Sequence, residues 1–272
     1  MNKNPLLRPE SIGLYDTNYE HENCGVGFIA QINKKSSFSI TDDALEMLSR
    51  MDHRGGCGCE ANTGDGAGIL TNIPNNFFKE EARKLFNVEL TEGDYGVGNV
   101  FLPQDEGEQK VCIQKFEEII NENEQILIGW RDVPVDPNGA DIGETALLSQ
   151  PVIKQVFIVK SDGISQDEFE RKLFVIRKKV SRELRSDESL QQALLFYVCS
   201  LSTKVIVYKG MLMGSQVQTY YKDLSNQVSR HTWQKFTPGS LPILFLHGIG
   251  RNLVDLCLTM VKSILDRVTT TG

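Results

Sequence analysis

Cys24 opens the stretch Cys24-Gly25-Val26-Gly27-Phe28, and the use of its sulfur turns on one peptide bond. A cysteine thiol with a pKa near ~8.5 is only a few per cent thiolate at neutral pH. A lone cysteine inside a strand therefore serves most often as a small hydrophobe. Cutting the bond between Asn23 and Cys24 changes this. The freed α-amine, with a pKa of about 7.7–8.0, takes the thiol proton directly or through a water, so one residue supplies nucleophile and base. Gly25 leaves room for a substrate beside the sulfur.

The other chemically suggestive residues read more plainly. Cys57 and Cys59 stand one residue apart, the wrong spacing for a zinc knuckle, and no second Cys/His pair follows at a usable distance. Small buried thiols in a glycine-rich loop are the expectation, and a redox or metal module the weak alternative. The run Gly64-Asp65-Gly66-Ala67-Gly68 lacks the Lys-Ser/Thr of a phosphate loop and precedes a strand pattern, so it reads as a tight loop. Asp65 is a turn residue by default, with the capacity to hold a polar group. His53-Arg54-Gly55 closes a helix pattern, where cations offset the helix dipole. The functional reading of Arg54 is a guanidinium facing a carboxylate-bearing substrate.

These residues hang on interleaved strands and helices. Gly25 to Ile32 reads as a strand with Val26, Phe28, Ala30 and Ile32 on one face. Thr41-Asp42-Asp43 caps a helix carrying Ala44, Leu45, Leu48 and Met51, closed by Gly55-Gly56. Strands follow at 66–73, 95–102, 125–135 and 152–159, and helices at 75–86, 108–120 and 167–185. Residues 196–201 and 204–208 read as a hairpin about Ser202-Thr203. Several strands are consecutive, which suits a layered α/β or α+β domain.

The chain has 272 residues, 40% apolar, enough for one large domain or two modest ones. A net charge of -7 argues against a nucleic-acid or anionic-membrane surface. No run reaches the roughly 18 apolar residues that a membrane span needs. Residues 1–23 resemble neither a secretory signal nor a transit peptide, and read as a disordered tail or a short pro-segment. Six cysteines without an export signal point to a reducing compartment, the cytoplasm.

Three pieces together carry a resemblance: "CGVGFIAQI", "ALEMLSRMDHRGG" and "TGDGAGIL". With "GWRDVPVD", "QVFIV", "FYVCSLSTKVIVYKGML" and "YYKDL", the chain resembles the N-terminal, class II glutamine amidotransferase domain of glutamate synthases over roughly residues 12–224. The resemblance implies an α+β fold, a four-layer αββα sandwich of N-terminal-nucleophile (Ntn) hydrolase type, incomplete at the C-terminus. It also implies removal of 1–23 and hydrolysis of glutamine to glutamate and ammonia. By motif match Cys24 is the nucleophile, and Arg54 and Gly25 surround the substrate. Ammonia then passes to a synthase domain that reductively aminates 2-oxoglutarate. That part uses FMN, an iron–sulfur cluster, and NAD(P)H or ferredoxin as reductant. This chain shows no such region, so no cofactor is expected in it.

After "YYKDL" the texture changes, and acidic residues are absent between Asp223 and Asp255. The family continues with a His-Ser-Arg-Phe-Ser-Thr-Asn-Thr stretch, which holds the substrate carboxylate, and a His-Asn-Gly-Glu stretch, which forms the oxyanion hole. Neither is present. Reading each codon one nucleotide earlier restores both: Thr237-Pro238-Gly239-Ser240 permits His-Ser-Arg-Phe, and Thr259-Met260-Val261-Lys262 permits His-Asn-Gly-Glu. The expected division is therefore a leader at 1–23, a partial amidotransferase domain at 24–226 and an out-of-frame tail at 227–272. Two function classes follow: the glutaminase part of a glutamate synthase, and a non-catalytic truncated remnant or pseudogene product.

Overall fold

The computed structural model describes residues 24–29, 39–52, 60–225 and 243–248. Its strands are β1 (Cys24–Ile29), β2 (Ala67–Asn72), β3 (Tyr95–Leu102), β4 (Ile126–Asp132), β5 (Val152–Val159), β6 (Tyr197–Ser202), β7 (Val205–Gly210) and β8 (Ile243–Gly248). Its helices are α1 (Ser39–Arg50), α2 (Asn75–Phe86), α3 (Glu106–Glu122), α4 (Glu144–Leu148), α5 (Gln166–Arg185), α6 (Val217–Tyr220) and α7 (Lys222–Ser225). The strands form two four-stranded antiparallel sheets, β1-β8-β2-β7 and β4-β5-β3-β6.

Period-two alternation splits the second sheet's side chains between two cores. Val100, Leu102, Val156 and Ile158 meet α3 and α5 through Cys112, Phe116, Phe169, Leu173 and Ile176. Val97, Phe101, Ile153 and Phe157 join Ala67, Ile69 and Tyr208 of the first sheet and Ala44, Leu45 and Leu48 of α1. The layers therefore run helix, sheet, sheet, helix, an α+β sandwich. Glycine lets β3 sit under α5: a Cβ on Gly96 would lie 2.5 Å from Leu173 Cδ1. The long helices start where their caps dictate. Asp105 accepts from Glu108 N at 2.9 Å, and Ser165 and Glu168 form a reciprocal capping box.

Three expectations are corrected. Residues 197–202 and 205–210 are not a hairpin: β6 lies in one sheet and β7 in the other, so the chain turns between layers at Ser202. Ser202 Oγ accepts from Lys204 N and Val205 N and donates to Glu170, which fixes that turn. In β1 the buried face is the opposite one. Val26 and Phe28 are 46% and 68% exposed, while Gly25 is buried and Ile29 packs on the core. At the edge of the sheet among the described residues, β1 is covered on its glycine side. Ala30 and Ile32 lie outside the described residues. Helix α1 begins at Ser39, so Thr41, Asp42 and Asp43 sit in its first turns rather than before them. Among the described residues no helix is long and apolar enough to cross a membrane.

Candidate functional site

The first sheet brings together, at one end, the start of β1, the end of β8, the start of β2 and the end of β7. Cys24 is the first residue of β1 and stands opposite Gly248. Gly25 stands opposite His247, which pairs with Ala67, which pairs with Gly210. One backbone row thus crosses all four strands a residue inside the sheet's end, with Cys24 one residue nearer that end. Arg54 lies outside the described residues, as do His53, Cys57 and Cys59.

A cavity of about 90 Å³ opens beside this end, walled by Asp65, Ala67, Tyr197, Lys209, Met211 and Tyr220 among others. Two strand spacings, roughly 10 Å, separate β1 from β2, so the cavity neighbours Cys24 across β8. The glycine loop before β2 shapes the entrance. Gly66 has φ 142°, a backbone conformation side chains disfavour, and a Cβ on Gly64 would lie 2.4 Å from the Leu212 carbonyl carbon. Asp65, first read as a turn residue, thus also lines a cavity.

The cavity's polar groups are held from behind. Lys209 is 6% exposed; its Nζ donates to Tyr197 Oη at 2.9 Å and sits 4.2 Å from that ring's centroid. Gln150 Nε2 donates to Tyr220 Oη at 3.0 Å. Burial pushes the Tyr220 hydroxyl up to about 12, against the opposing effect of Gln150. Tyr221 Oη donates to the Lys209 carbonyl at 2.7 Å, and its ring meets Tyr208 and Tyr220 edge-on.

Behind that wall lies a polar row the sequence reading did not single out. Arg131, Gln155, Asn99 and Ser200 pair in register across β4, β5, β3 and β6. All four are buried. Arg131 donates to Asp223 Oδ1 and Oδ2 at 2.8 and 2.9 Å, to Gln155 Oε1 at 2.8 Å and to Glu81 Oε2 at 2.8 Å. Tyr208 Oη donates to Asp223 Oδ2 at 3.2 Å and accepts from Gln155 Nε2 at 3.1 Å. Asn99 Nδ2 donates to the Val207 carbonyl and Ser200 Oγ accepts from Val207 N, which ties β7 to the second sheet. Burial disfavours the Arg131 cation, but the hydrogen bonds and charge of Asp223 more than offset it, and its pKa rises. The sequence cues were a polar residue at a core-facing strand position and the quoted strings that hold Arg131 and Asp223. The partners are too distant in sequence for any spacing rule to join them.

Among the described residues no group of three or more His, Cys, Asp or Glu side chains is placed to hold a metal ion. Cys112 and Cys199 are buried in different cores.

Comparison with known proteins bears on this arrangement. The sequence pattern of the family described as glutamine amidotransferases class-II matches residues 24–234, so the match starts on Cys24 and runs eight residues past the expected boundary at 226. The glutamate synthase [NADPH] large chain of Bacillus subtilis is 41% identical over 221 residues, 80% of this chain and 14% of that protein. The glutamate synthase [NADH] of Saccharomyces cerevisiae is 39% identical over 228 residues, 80% of this chain and 10% of that protein. The ferredoxin-dependent glutamate synthase 1, chloroplastic/mitochondrial, of Arabidopsis thaliana is 39% identical over 222 residues, 82% of this chain and 13% of that protein. The chain thus spans 10–14% of the length of these relatives.

Proposed function

The chain belongs to the class-II glutamine amidotransferase family, and we propose that it hydrolyses glutamine to glutamate and ammonia, with Cys24 as nucleophile after removal of residues 1–23. The freed α-amine of Cys24 takes the thiol proton. The thiolate attacks the side-chain amide carbon of glutamine and forms a tetrahedral oxyanion. The resulting α-ammonium returns the proton to the amide nitrogen, the carbon–nitrogen bond breaks, and ammonia leaves a thioester on Cys24. Water, deprotonated by the same amine, attacks the thioester, and glutamate departs as the thiol reforms. Gly25 keeps the approach to the sulfur clear, and Arg54 faces the substrate's carboxylate. The observation that carries this reading is the coincidence at Cys24 of the first residue of β1 and the first residue of the family match.

The same reading extends to a longer protein. There the ammonia passes to a synthase domain holding FMN and an iron–sulfur cluster, where 2-oxoglutarate is reductively aminated to glutamate. The relatives' names carry NADPH, NADH and ferredoxin, so family membership alone selects no reductant. The reducing compartment that six cysteines suggest is, on this reading, the cytoplasm.

Residues 227–272 enter as an out-of-frame tail. It lacks the family's carboxylate clamp and oxyanion donors; losing one oxyanion donor alone costs about 100- to 1000-fold in turnover. The 272-residue chain is therefore expected to release ammonia far more slowly than a chain with the frame restored between codons 224 and 230. A non-catalytic remnant has less support, because the match runs on from a retained Cys24 to residue 234. The test compares both chains by glutaminase assay and intact mass. The frame-restored chain should begin at Cys24, release ammonia, and lose that activity in Cys24→Ala. An active preparation with its leader still attached would overturn the mechanism, and a processed, folded, frame-restored chain without activity would favour the remnant.

A further inference from the structure

We infer that β8 is the positioning strap of the β1 strand: residues 243–248 hold Cys24 in the sandwich by backbone pairing. Four observations converge. Strand β1 pairs with β8 over all six residues, Cys24 with Gly248 through Ile29 with Ile243. Strand β8 in turn pairs with β2 from Ala67 to Leu70, so among the described residues every ladder that joins β1 to the rest of the first sheet passes through β8. Strand β1 has little of its own to hold it: Gly25 and Gly27 carry no side chain, and Val26 and Phe28 are 46% and 68% exposed. Glycine also weakens a strand's intrinsic preference. That leaves Ile29, the neighbouring α1 and the backbone ladder to β8. The strap uses peptide groups, so it does not depend on which side chains residues 243–248 bring.

Hydrogen exchange on the full 272-residue chain tests this. In an antiparallel pair successive residues direct their N–H groups to opposite sides. With β8 on one side and no strand on the other among the described residues, every second amide of 24–29 should exchange at least about tenfold more slowly than its neighbours. Phe245 and Leu246 direct their N–H groups to opposite neighbours, and proline removes that donor. One of Phe245→Pro and Leu246→Pro should therefore abolish the alternating protection in 24–29 while amides of β3 and β5 keep theirs. A purely global loss of stability would move all three strands together. Uniform, unprotected exchange across 24–29 in the unmodified chain overturns the inference, as does alternating protection that survives both prolines. The unmodified chain's pattern decides whether or not a variant folds. The outcome is separate from the proposed chemistry, since exchange reads the backbone and ammonia release reads the sulfur.

Discussion

Replacing Asp223 with alanine probes the buried centre that holds the cavity wall. Asp223 is 3% exposed and its partner Arg131 6%. The carboxylate accepts three hydrogen bonds, two from the guanidinium at 2.8 and 2.9 Å and one from Tyr208 Oη at 3.2 Å. Alanine removes all three and leaves a buried cation with Gln155 and the partly exposed Glu81 as its remaining partners. Breaking a buried pair from one side costs about 3–5 kcal/mol. With a urea m-value of about 2–3 kcal/mol/M, the unfolding midpoint should fall by roughly 1–2.5 M. Removing both charges should cost less. Arg131→Met with Asp223→Leu substitutes apolar bulk for two desolvated ions, an exchange that is often neutral or stabilising. Urea titration followed by fluorescence and circular dichroism reads both variants. A midpoint for Asp223→Ala within about 0.3 M of the parent would refute the reasoning. So would a double variant weaker than the single one.

Two further outcomes follow from burial and backbone approach. Burial, helped by the charges of Glu108 and Asp187, pushes the Cys112 thiol up to about 12. The folded chain then keeps a proton that the unfolded chain loses near pH ~9, so the stability held below that pH declines as the pH climbs toward 12. Cys112→Ala should flatten this alkaline decline, and equal slopes of urea midpoint against pH for variant and parent would contradict it. Gly64→Ala puts a Cβ 2.4 Å from the Leu212 backbone and should cost about 1–3 kcal/mol by thermal melting. Gly163→Ala, at φ 82° with nothing within 4 Å, carries only backbone strain and should cost about 1 kcal/mol. The reverse order would show that the Gly64 loop yields freely.

Long periodic elements were legible in the sequence because each buries one continuous stripe. The helices at 75–86 and 167–185 and the strands at 95–102 and 152–159 stand within a residue of where the pattern puts them. Helices α4, α6 and α7 span five residues or fewer, too short for periodicity to register. The β6–β7 connection misled because two short strands joined by Ser202-Thr203 look alike in sequence whether the partner strand is in the same sheet or the next layer. The exposed face of β1 misled for a related reason. Alternation identifies two faces, but only the tertiary neighbours decide which is covered. Of the candidate site, the sequence singled out Cys24 by its residue type and its place before Gly-Val-Gly, and the structure makes it the first residue of β1. The polar row was not: Arg131 in "GWRDVPVD" and Asp223 in "YYKDL" are separated by 92 residues, and nothing in either string says that the two side chains pair.

The placement of β8 separates two demands that the amidotransferase fold makes on the same stretch of chain. Strand pairing asks only for a short extended segment whose peptide groups meet their partners, and many sequences satisfy it. Ile243 to Gly248 meets that demand on both sides, with β1 and with β2. Catalysis asks for particular groups, a guanidinium for a carboxylate and oriented donors for an oxyanion, and substitutes of similar shape do not serve. On the proposed reading of residues 227–272, an out-of-frame tail therefore closes the sheet beside Cys24 while lacking the groups that the proposed chemistry needs. On this view folding, leader removal and turnover are three separable properties of the chain. A preparation of the 272-residue chain that folds and begins at Cys24 without releasing ammonia fits the proposed out-of-frame tail, and activity regained on restoring the frame separates that tail from a remnant.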